Sequence, residues 1–485
     1  MWAAPSLNRV TSKDPGNEPS LTGRVLQIKP LRAGEGVSYG YRFRAPADTR
    51  VALVQGGYAQ GVVRALGGQA TVWIRGAEFP IVGRVAMDVC VIDIGTADIV
   101  PGDHAVFLGP EHPDALAHWA RVTGMTELEL AAGVGARPAG HRPDAELRVD
   151  IGRLRHNIRT LRERMAPAEL LVVLKDDAYG LGVDAVVTAA SAEGVAWFGA
   201  IDLPSVLRAK ALRPEARVFC WATATDEEVA VALDAGLELG IGDADSLERV
   251  ARVAGDRGER AVVHLKIDTG LHRNGIRPEA WPGAVARAVE LEAAGRIRVA
   301  GIWSHIAEAS DAEDDASRAV FDAAVEAARQ AGLRPEVRHL AASAASWHRA
   351  EFRYDLVRIG AFCYGVRSAG APEIEGIAPV ATLVARVTAV RDGLVAIGIG
   401  SVDGLPSTLG GRISVVTPGG PQSLRIEPTM SWVGGWDGAA VGDEVEIFGA
   451  PSVGVPSATD LAEAIDTVGE EILLRISPLV PRVYV

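Results

Sequence analysis

The sequence has 485 residues, of which 48% are hydrophobic and 23% charged, and its formal net charge is −13. This length predicts two or three globular domains. The negative charge argues against nucleic acid or an anionic membrane as a partner, and no apolar run is long enough to span a bilayer. Residues 1–20 show no signal-peptide pattern and are predicted to be a disordered extension.

Residues 21–140 are predicted to form an all-β, barrel-like module. Six short alternating runs are separated by turns rich in glycine, proline and aspartate. These runs are TGRVLQI, VALVQG, ATVWIRG, FPIVGRV, DVCVIDIG and HAVFLG. Cys90 of this module, Cys220 and Cys363 are far apart in apolar runs, so they are predicted to be buried free thiols in a reducing cytoplasm.

Residues 146–366 alternate eight β-rich runs with helical stretches, beginning at ELLVVL (169–174) and ending at DLVRIG (355–360). This pattern favours a closed parallel (β/α)8 TIM barrel, with an open doubly wound sheet as the alternative. In a barrel, the carboxyl ends of the strands form the active-site face. The residues at or just past these ends are Lys175, Asp268, His305, Ser343 and Gly360.

Residues 375–485 repeat the pattern of the first module. RVAMDV (84–89) aligns with EPTMSW (427–432), and PGDHAVFLG (101–109) aligns with VGDEVEIFG (441–449). The sequence therefore predicts a duplicated β module on either side of the barrel. The second copy lacks a counterpart of GEGVSYGYRF (34–43).

Several polar residues near the predicted strand ends have both a structural and a chemical interpretation. Lys175 is either a buried ion-pair partner or a Schiff-base nucleophile, since burial favours the neutral amine. Lys266, Asp268 and Arg273 form either a salt-bridge network or an arginine clamp for a carboxylate. Arg358 lies in a β-rich run and needs a partner. The small residues of AASAAS (341–346) and RIGA (358–361) suit a phosphate cradle, and no metal site is predicted.

These motifs carry a family resemblance. KDDAYGLG, HLKIDTGLHR, SHIA, AAS and VRIG, in this order, resemble the barrel of alanine racemases, the fold-type III pyridoxal-phosphate enzymes. GEGVSYGYRF, GGYAQG, IVGRVAMD and PGDHAVFLG resemble the β domain that follows the barrel in that family. Here the better-matching β domain precedes the barrel, and a degenerate copy follows it. The resemblance implies an isomerase that interconverts L- and D-amino acids, with alanine as the default substrate and a link to peptidoglycan precursors.

The resemblance also implies roles for individual residues. Lys175 matches the lysine that binds pyridoxal 5'-phosphate covalently and acts as one base, and Tyr39 matches the opposite base. Arg273 matches an arginine near the cofactor phenolate and the substrate carboxylate, and Lys266 matches a lysine that is carbamylated in some members. The phosphate contacts of the family are matched by Tyr179, Ser343, Gly360 and Ala361. Arg358 matches the arginine hydrogen-bonded to the pyridine nitrogen, and His305 matches the histidine that orients that arginine. Met87 and Tyr58 match residues that line the substrate pocket and its entrance.

Two fixed bases suit racemisation, because one removes the α-proton and the other returns a proton on the opposite face. A tyrosine titrates near pH ~10, so Tyr39 needs nearby positive charge, for which His305 and Arg358 are the candidates. Departures from the family pattern include Asp176, Gln60 and Ala342. Pro478 also stands in place of an entrance tyrosine, which predicts room for side chains larger than that of alanine.

The alternatives to a racemase are a catalytically silent relative and, more weakly, a fold-type III decarboxylase, although no cysteine here lies in the context that such decarboxylases use. A catalytically silent relative that binds the cofactor or a partner subunit is suggested by the degenerate second module, with Ser431 where a racemase has aspartate. A site complete within one chain is suggested by the linker PAGHRPDAE (138–146), which spans about 30 Å when extended. We therefore predict that the first module folds onto the barrel of its own chain and replaces the partner subunit, with a homodimer as the alternative.

Overall fold

The computed structural model describes residues 19–450 and 454–485, so nearly all of the predicted N-terminal extension lies outside the described residues. The first module contains β1 (Leu21–Leu31), β2 (Gly36–Val37), β3 (Phe43–Arg44), β4 (Thr49–Gln55), β5 (Thr71–Ile74), β6 (Ala77–Val82), β7 (Val89–Asp93), β8 (His104–Leu108), α1 (Ala115–Thr123) and α2 (Glu127–Gly133). Six strands close an antiparallel barrel in the order β1-β4-β7-β6-β5-β8. Short 3-10 turns occupy Tyr39–Tyr41, Tyr58–Gln60 and Arg64–Leu66.

The first module is not purely β, because α1 and α2 follow its last strand. Ala115 and Trp119 are four residues apart, lie on one face of α1 and are buried in the core of this module. Thr126 caps α2 by accepting the backbone N–H of Glu129. The expectation of an all-β module was therefore wrong in this segment, where helical periodicity lies behind the strand signals.

The central region is a parallel eight-stranded barrel, which confirms the predicted fold class and excludes the open sheet. After β9 (Ala145–Val149) and α3 (Ile151–Met165) come its strands β10 (Glu169–Val173), β11 (Trp197–Ala200), β12 (Arg217–Cys220), β13 (Glu238–Ile241), β14 (Ala261–Lys266), β15 (Ile297–Trp303), β16 (Val337–His339) and β17 (Leu356–Ile359). The strands pair in chain order, and β17 returns to β10. The backbone N–H of Arg358 donates to the carbonyl of Ala341 at 3.3 Å and closes the remaining gap.

Helices follow the barrel strands on the outside, as the alternating pattern predicts. They are α4 (Lys175–Gly180), α5 (Val183–Ala192), α6 (Leu203–Leu212), α7 (Asp226–Asp234), α8 (Ala244–Asp256), α9 (Trp281–Ala293), α10 (Asp311–Gln330) and α11 (Ser343–His348). Asp202, Thr225, Asp243 and Ser310 cap the starts of four of them with side-chain oxygens.

The last module contains β18 (Ala381–Arg391), β19 (Leu394–Ile397), β20 (Ser414–Thr417), β21 (Gly420–Ser423), β22 (Arg425–Ile426), β23 (Ser431–Gly434), β24 (Glu444–Phe448), α12 (Ala458–Ala464), α13 (Gly469–Arg475) and β25 (Arg482–Tyr484). β9 pairs with β18 and β25, so it belongs to this sheet. The domain boundary expected at residue 146 therefore falls inside a strand of the last module, before the barrel begins.

The two β modules share local irregularities, although six strands close a barrel in the first and the last is a nine-stranded sheet that includes β9 and β25. A bulge interrupts the β1–β4 pairing between Val25 and Gln27, and one interrupts the β18–β19 pairing between Val387 and Ala389. Each module also has a 3-10 turn that follows a glycine, Tyr58–Gln60 in the first module and Ser401–Asp403 in the last. In both, the backbone N–H of the glycine donates to the side chain of the third residue of the turn, and the backbone N–H of that residue donates to the carbonyl of the glycine. Bulges are specific features of a strand pair, so their repetition indicates one structural plan in both modules.

The modules contact each other reciprocally. The backbone N–H of Arg64 donates to Glu471 of α13 at 3.0 Å, and the backbone N–H of Ser407 donates to Glu129 of α2 at 3.2 Å. These two contacts are equivalent when one module is placed on the other. Such an exchange is the pattern of an isologous two-fold interface, here within one chain.

The first module also packs on the mouth of the barrel. Lys29 of β1 forms a buried ion pair with Asp268, just past β14, and Gln27 donates to the carbonyl of Gly242 at 3.1 Å. Met87 is 5% exposed and belongs to the hydrophobic core that fills the barrel. This docking brings the loops of the first module over the carboxyl ends of the barrel strands.

Candidate active site

A cavity of about 2560 Å³ opens between the barrel mouth and the two β modules. It is lined by every residue to which the family resemblance assigned a role: Tyr39, Tyr58, Met87, Lys175, Tyr179, Lys266, Arg273, His305, Ser343, Arg358, Gly360 and Ala361. Asp268, which the sequence also placed at a strand end, is not among the lining residues. Residues of the first module and of the barrel therefore meet at one place.

Lys175 lies two residues past the end of β10, and the segment α4 that it begins is a left-handed turn at the cavity and not a right-handed helix. Asp176, Asp177, Ala178 and Tyr179 have φ values between 51° and 60°. A left-handed conformation costs about 1–2 kcal/mol for each such residue, so neighbouring contacts must hold it. Arg482 Nε donates to the carbonyl of Gly180 at 2.8 Å, and the Tyr484 hydroxyl donates to the carbonyl of Leu181 at 3.2 Å. These hydrogen bonds from the last β module thus stabilise the turn that orients Lys175.

The amine of Lys175 is charged in this arrangement, contrary to the expectation of a neutral amine. Its Nζ donates to Asp88 Oδ2 at 3.0 Å. Burial alone would lower the pKa of Lys175, but the charges of Asp88, Tyr39 and Asp176 raise it above its usual value. The sequence argument considered burial without the carboxylate that the first module supplies.

Asp176 and Gln60, two of the departures from the family pattern, form a hydrogen bond with each other. Gln60 Nε2 donates to Asp176 Oδ1 at 3.0 Å, and the carboxyl of Asp176 also lies within hydrogen-bonding reach of Asp88. Burial and the neighbouring Asp88 raise the pKa of Asp176 well above its usual value. The amide of Gln60 therefore meets a carboxyl group where an aspartate would add a further negative charge.

Tyr39 is held by two nitrogen donors. Its hydroxyl oxygen lies 2.8 Å from His305 Nε2 and accepts a hydrogen bond from Arg273 Nη2 at 3.2 Å. The guanidinium of Arg273 also lies over the Tyr39 ring, 4.7 Å from its centre. Burial and the charges of Arg273 and Arg358 hold the pKa of His305 well below its usual value, so His305 is neutral. The positive charge nearest to the Tyr39 oxygen therefore belongs to Arg273, whereas the sequence named His305 and Arg358; of these two, Arg358 remains charged and His305 does not.

Arg358 is 3% exposed and finds its partners inside the barrel. Its Nη2 donates to the carbonyls of Ser304 and Leu340 at 2.8 and 2.9 Å and approaches His305 Nδ1 at 3.3 Å. Its Nη1 donates to His339 Nδ1 at 3.1 Å. Burial lowers the pKa of Arg358 to about 9, so the guanidinium remains charged at neutral pH.

The expected network of Lys266, Asp268 and Arg273 is divided among other partners. Asp268 pairs with Lys29 and His272, while Arg273 reaches Tyr39. Lys266 Nζ lies 4.3 Å from the centre of the Trp303 ring. Burial and the charges of Arg273 and Arg358 hold the pKa of Lys266 well below its usual value.

The residues at the end of β17 form a tight cradle. A side chain at Gly360 would place its first carbon 2.2 Å from the Tyr179 hydroxyl, so only glycine fits there. Tyr179 packs against Tyr364 with ring centres 4.8 Å apart, and burial keeps its pKa well above the usual value. A neutral Tyr179 hydroxyl can donate to an anion beside the short helix that begins at Ser343.

The site fits pyridoxal phosphate on the chemistry of its donors. Arg273 Nη1 is buried without a protein partner among the described residues, which suits an anionic oxygen of a ligand. A lysine, a cradle of small residues and buried arginines surround one cavity. Among the described residues no cluster of three or more His, Cys, Asp or Glu side chains is suited to a metal ion.

Sequence reasoning missed four participants. Lys29, Trp221, His264 and His339 had no assigned role, yet Lys29 docks the first module and Trp221 lies 5.4 Å from Lys175 Nζ. Their partners lie in distant parts of the chain, so no local pattern identifies them. Only the HxK spacing of His264 with Lys266 would have placed both on the interior face of β14.

Comparison with known proteins agrees with this geometry. The family described as "Alanine racemase, N-terminal domain" matches residues 149–368, and "Alanine racemase, C-terminal domain" matches residues 19–141 and 384–484. The chain is 35% identical over 365 residues to alanine racemase of Thermobifida fusca, covering 70% of this chain and 98% of the relative. It is 36% identical to alanine racemase of Beutenbergia cavernae, covering 70% and 97%.

Solved structures give the same result. Alanine racemase from D-cycloserine-producing Streptomyces lavendulae superposes with a TM-score of 0.66 at 32% identity, covering 72% of this chain and 98% of that one. The enzyme of Streptomyces coelicolor gives a TM-score of 0.66 at 34% identity, covering 70% and 98%. This chain therefore belongs to the alanine racemase family of pyridoxal-phosphate-dependent isomerases.

Proposed function

We propose that this protein racemises free amino acids with pyridoxal phosphate, with alanine as its principal substrate. The observation that carries the proposal is that Lys175 and Tyr39 line one cavity, with Tyr39 held by His305 and Arg273. Lys175 would exchange the α-proton on one face and Tyr39 on the other. When bound, the cofactor supplies an electron-withdrawing ring that makes removal of this proton easier.

The surrounding residues divide the remaining tasks in this proposal. Tyr179, Ser343, Gly360 and Ala361 would hold the phosphate, and Arg358 would donate to the ring nitrogen. Arg273 would use its free Nη1 to bind an anionic oxygen of cofactor or substrate. Met87 and Tyr58 would border the substrate side chain, and burial raises the pKa of Tyr58 well above its usual value, so it stays a neutral donor.

The test is a chiral assay on protein reconstituted with pyridoxal phosphate. L-Ala, L-Ser, L-Lys and their D forms are incubated separately, and the enantiomers are separated by chromatography. The expected result is equal amounts of both alanine enantiomers from either start. Protein that binds the cofactor covalently but leaves every amino acid enantiopure would contradict the proposal and favour a silent relative.

We also propose that Lys266 carries a carbamate. Its depressed pKa supports a neutral amine, the form that reacts with carbon dioxide, and the charges of Arg273 and Arg358 would favour the resulting anion. Isotope-labelled bicarbonate should give a carbamate carbon signal that is absent in Lys266→Ala. A wild-type protein without this signal would contradict the assignment.

The β modules are, in this proposal, copies of one ancestral domain that have divided the work of a dimer. The matching bulges, 3-10 turns and reciprocal contacts support the duplication. The first module would replace the partner subunit by supplying Tyr39, Tyr58 and Met87 to its own barrel. The last would keep the place of the chain's own β domain, so that a single chain holds a complete site without a homodimer.

The cytoplasm is the proposed location. Cys90, Cys220 and Cys363 are free and buried, as suits a reducing compartment. Among the described residues no helix has the length and hydropathy needed to cross a membrane. An activity measurement on fractionated cells would test the location, and recovery of the protein outside the cytoplasmic fraction would contradict it.

A further inference from the structure

A line of hydrogen-bonded polar groups runs through the interior of the barrel to the candidate active site. Glu238 begins β13 and lies 2.7 Å from His264 Nε2. His264 Nδ1 lies 2.8 Å from His339 Nε2, and His339 Nδ1 accepts from Arg358 Nη1 at 3.1 Å. Glu238 and His264 have no part in the reaction proposed above, and Glu238 is only 7% exposed.

The chemistry of the groups fixes the direction of every hydrogen bond in this line. A carboxylate only accepts, so His264 must carry its proton on Nε2. Burial lowers the pKa of His264 and of His339, so both rings are neutral. His264 Nδ1 is then an acceptor for the Nε2 proton of His339. This leaves His339 Nδ1 as an acceptor for Arg358, which can only donate.

The same logic continues on the other side of Arg358. The two hydrogens of its Nη2 go to the carbonyls of Ser304 and Leu340, and His305 Nδ1 at 3.3 Å shares one of them as a longer, third acceptor. The neutral ring of His305 then carries its proton on Nε2. That proton points to the Tyr39 oxygen at 2.8 Å. One set of tautomers thus satisfies the whole line from Glu238 to Tyr39.

The surroundings keep Glu238 ionised and the histidines in place. Arg217 donates from Nε and Nη2 to the two carboxylate oxygens of Glu238, at 2.5 and 2.9 Å. Burial alone would raise the pKa of Glu238, but hydrogen bonds from His264 and Arg217 lower it to about 2. Trp303 stacks on His339 with ring centres 5.7 Å apart, and Phe219 lies 4.6 Å from His264. In such apolar surroundings, two donors or two acceptors that face each other remain unpaired, which costs free energy.

We propose that Glu238 and His264 are positioning residues that orient Arg358, and through His305 also Tyr39, by fixing the tautomers of the buried histidines. A glutamine at 238 can present an N–H to His264 and allow the line to reverse. His339 would then turn a proton toward the guanidinium of Arg358, which would have to move. The effect on catalysis rests on the proposed function, whereas the tautomers are a property of the chain itself.

The experiment compares full-length wild type, Glu238→Gln and a matched control, Glu336→Gln. Glu336 accepts from the same Arg217 at 3.1 Å, and its other side-chain hydrogen bond comes from Arg298 rather than from His264. Glu238→Gln should lower kcat about tenfold with KM nearly unchanged, the size of effect seen when an outer partner of a site residue is lost. Glu336→Gln should keep the wild-type kcat. The absorption maximum of the bound cofactor should shift only in Glu238→Gln.

A second readout does not depend on activity. Nitrogen NMR of protein with isotope-labelled histidine reports which ring nitrogen carries the proton, and the chain has ten histidines to assign. Wild type should show His264, His339 and His305 all protonated on Nε2, and Glu238→Gln should change at least His264. If the glutamine variant does not fold, the wild-type spectrum alone decides, because a His264 proton on Nδ1 would overturn the proposal.

The kinetic outcomes are equally distinct. A folded Glu238→Gln protein with wild-type kcat and unchanged tautomers would overturn the proposal, as would an equal loss in Glu336→Gln. Wild type with the expected tautomers but without racemase activity would reject the proposed function and leave the orientation of Arg358 by Glu238 in place.

Discussion

The Tyr39 oxygen accepts from two nitrogen donors, and only one of the two groups is charged. The neutral ring of His305 orients the hydroxyl, and Arg273 supplies the positive charge. A charged His305 would be buried beside Arg273 and Arg358, where desolvation and repulsion make its protonation costly. The family resemblance predicted the members of this group, but charge states depend on distances that the sequence does not contain.

Lys175 provides the most direct prediction at this scale. Lys175→Ala should remove the covalent link to pyridoxal phosphate and lower racemisation by about a thousandfold or more, since a nucleophile and a base are lost together. Borohydride reduction followed by peptide mass analysis should find the cofactor on Lys175 in wild type. Lys210→Ala is the control, because Lys210 bonds the carbonyl of Ala216 away from the catalytic lysine. Full activity in Lys175→Ala would refute the assignment.

Pro478 lines the cavity where relatives are expected to carry a tyrosine. We expect the wild type to accept amino acids with side chains larger than that of alanine. Pro478→Tyr should lower kcat/KM for serine and lysine several-fold more than for alanine, because added bulk excludes the larger substrates first. Chiral chromatography of each substrate gives the ratio. A wild type that acts on alanine alone would contradict the inference from Pro478.

The elements of the fold were predictable to different degrees, for reasons visible in particular segments. All eight barrel strands follow from branched and apolar runs, because a parallel strand buried on both faces needs such residues. The helix at Ala115–Thr123 was missed inside a region dominated by strand signals. The membership of β9 in the last module was also missed, because pairing with β18 joins segments more than 200 residues apart. The left-handed turn after Lys175 has no local signature, since three of its four residues are Asp and Ala.

The ion pair of Lys29 and Asp268 joins two elements and predicts how the first module docks. Lys29→Met should leave a buried carboxylate without its partner, a change that costs roughly 3–5 kcal/mol. The first module would then dock on the barrel less often, so Tyr39 would reach the site less often and kcat should fall. The unfolding temperature should also be lower. Arg32→Met is the matched control on the same module, because Arg32 and Glu279 form an exposed pair. Equal effects of the two substitutions would show that burial of the pair is unimportant.

The same pair gives the sign of the acid dependence. Burial alone would raise the pKa of Asp268, but Lys29 and His272 hold it well below its usual value. Its contribution to docking is therefore complete above the unfolded pKa of about 3.9 and is lost as the pH falls toward the folded value. Linker cleavage by an acid-active protease should rise on acidification in wild type and be weakly pH-dependent in Lys29→Met. The same slope in both proteins would exclude Asp268 as the cause.

At the scale of the whole molecule, the barrel lies between two β modules that contact each other reciprocally. Glu129 accepts from Ser407 and Arg475 of the other module, and Glu471 accepts from Arg64 in return. The linker is also fixed, since His141 Nε2 lies 2.8 Å from Asp403. Because these contacts all occur within one chain, their formation does not depend on protein concentration.

The arrangement predicts that Lys175 and Tyr39 act together within one chain. Co-expression of a Lys175→Ala chain with a Tyr39→Phe chain should therefore give a mixture no more active than either parent. Wild-type activity per chain should also stay constant on dilution, because tethering makes the encounter of module and barrel intramolecular. A co-expressed wild type and Lys175→Ala pair, which should retain the activity of its wild-type fraction, controls for expression. Activity recovered by the complementary mutants would contradict the prediction. It would show that the first module of one chain supplies Tyr39 to the barrel of another chain, as in a dimer.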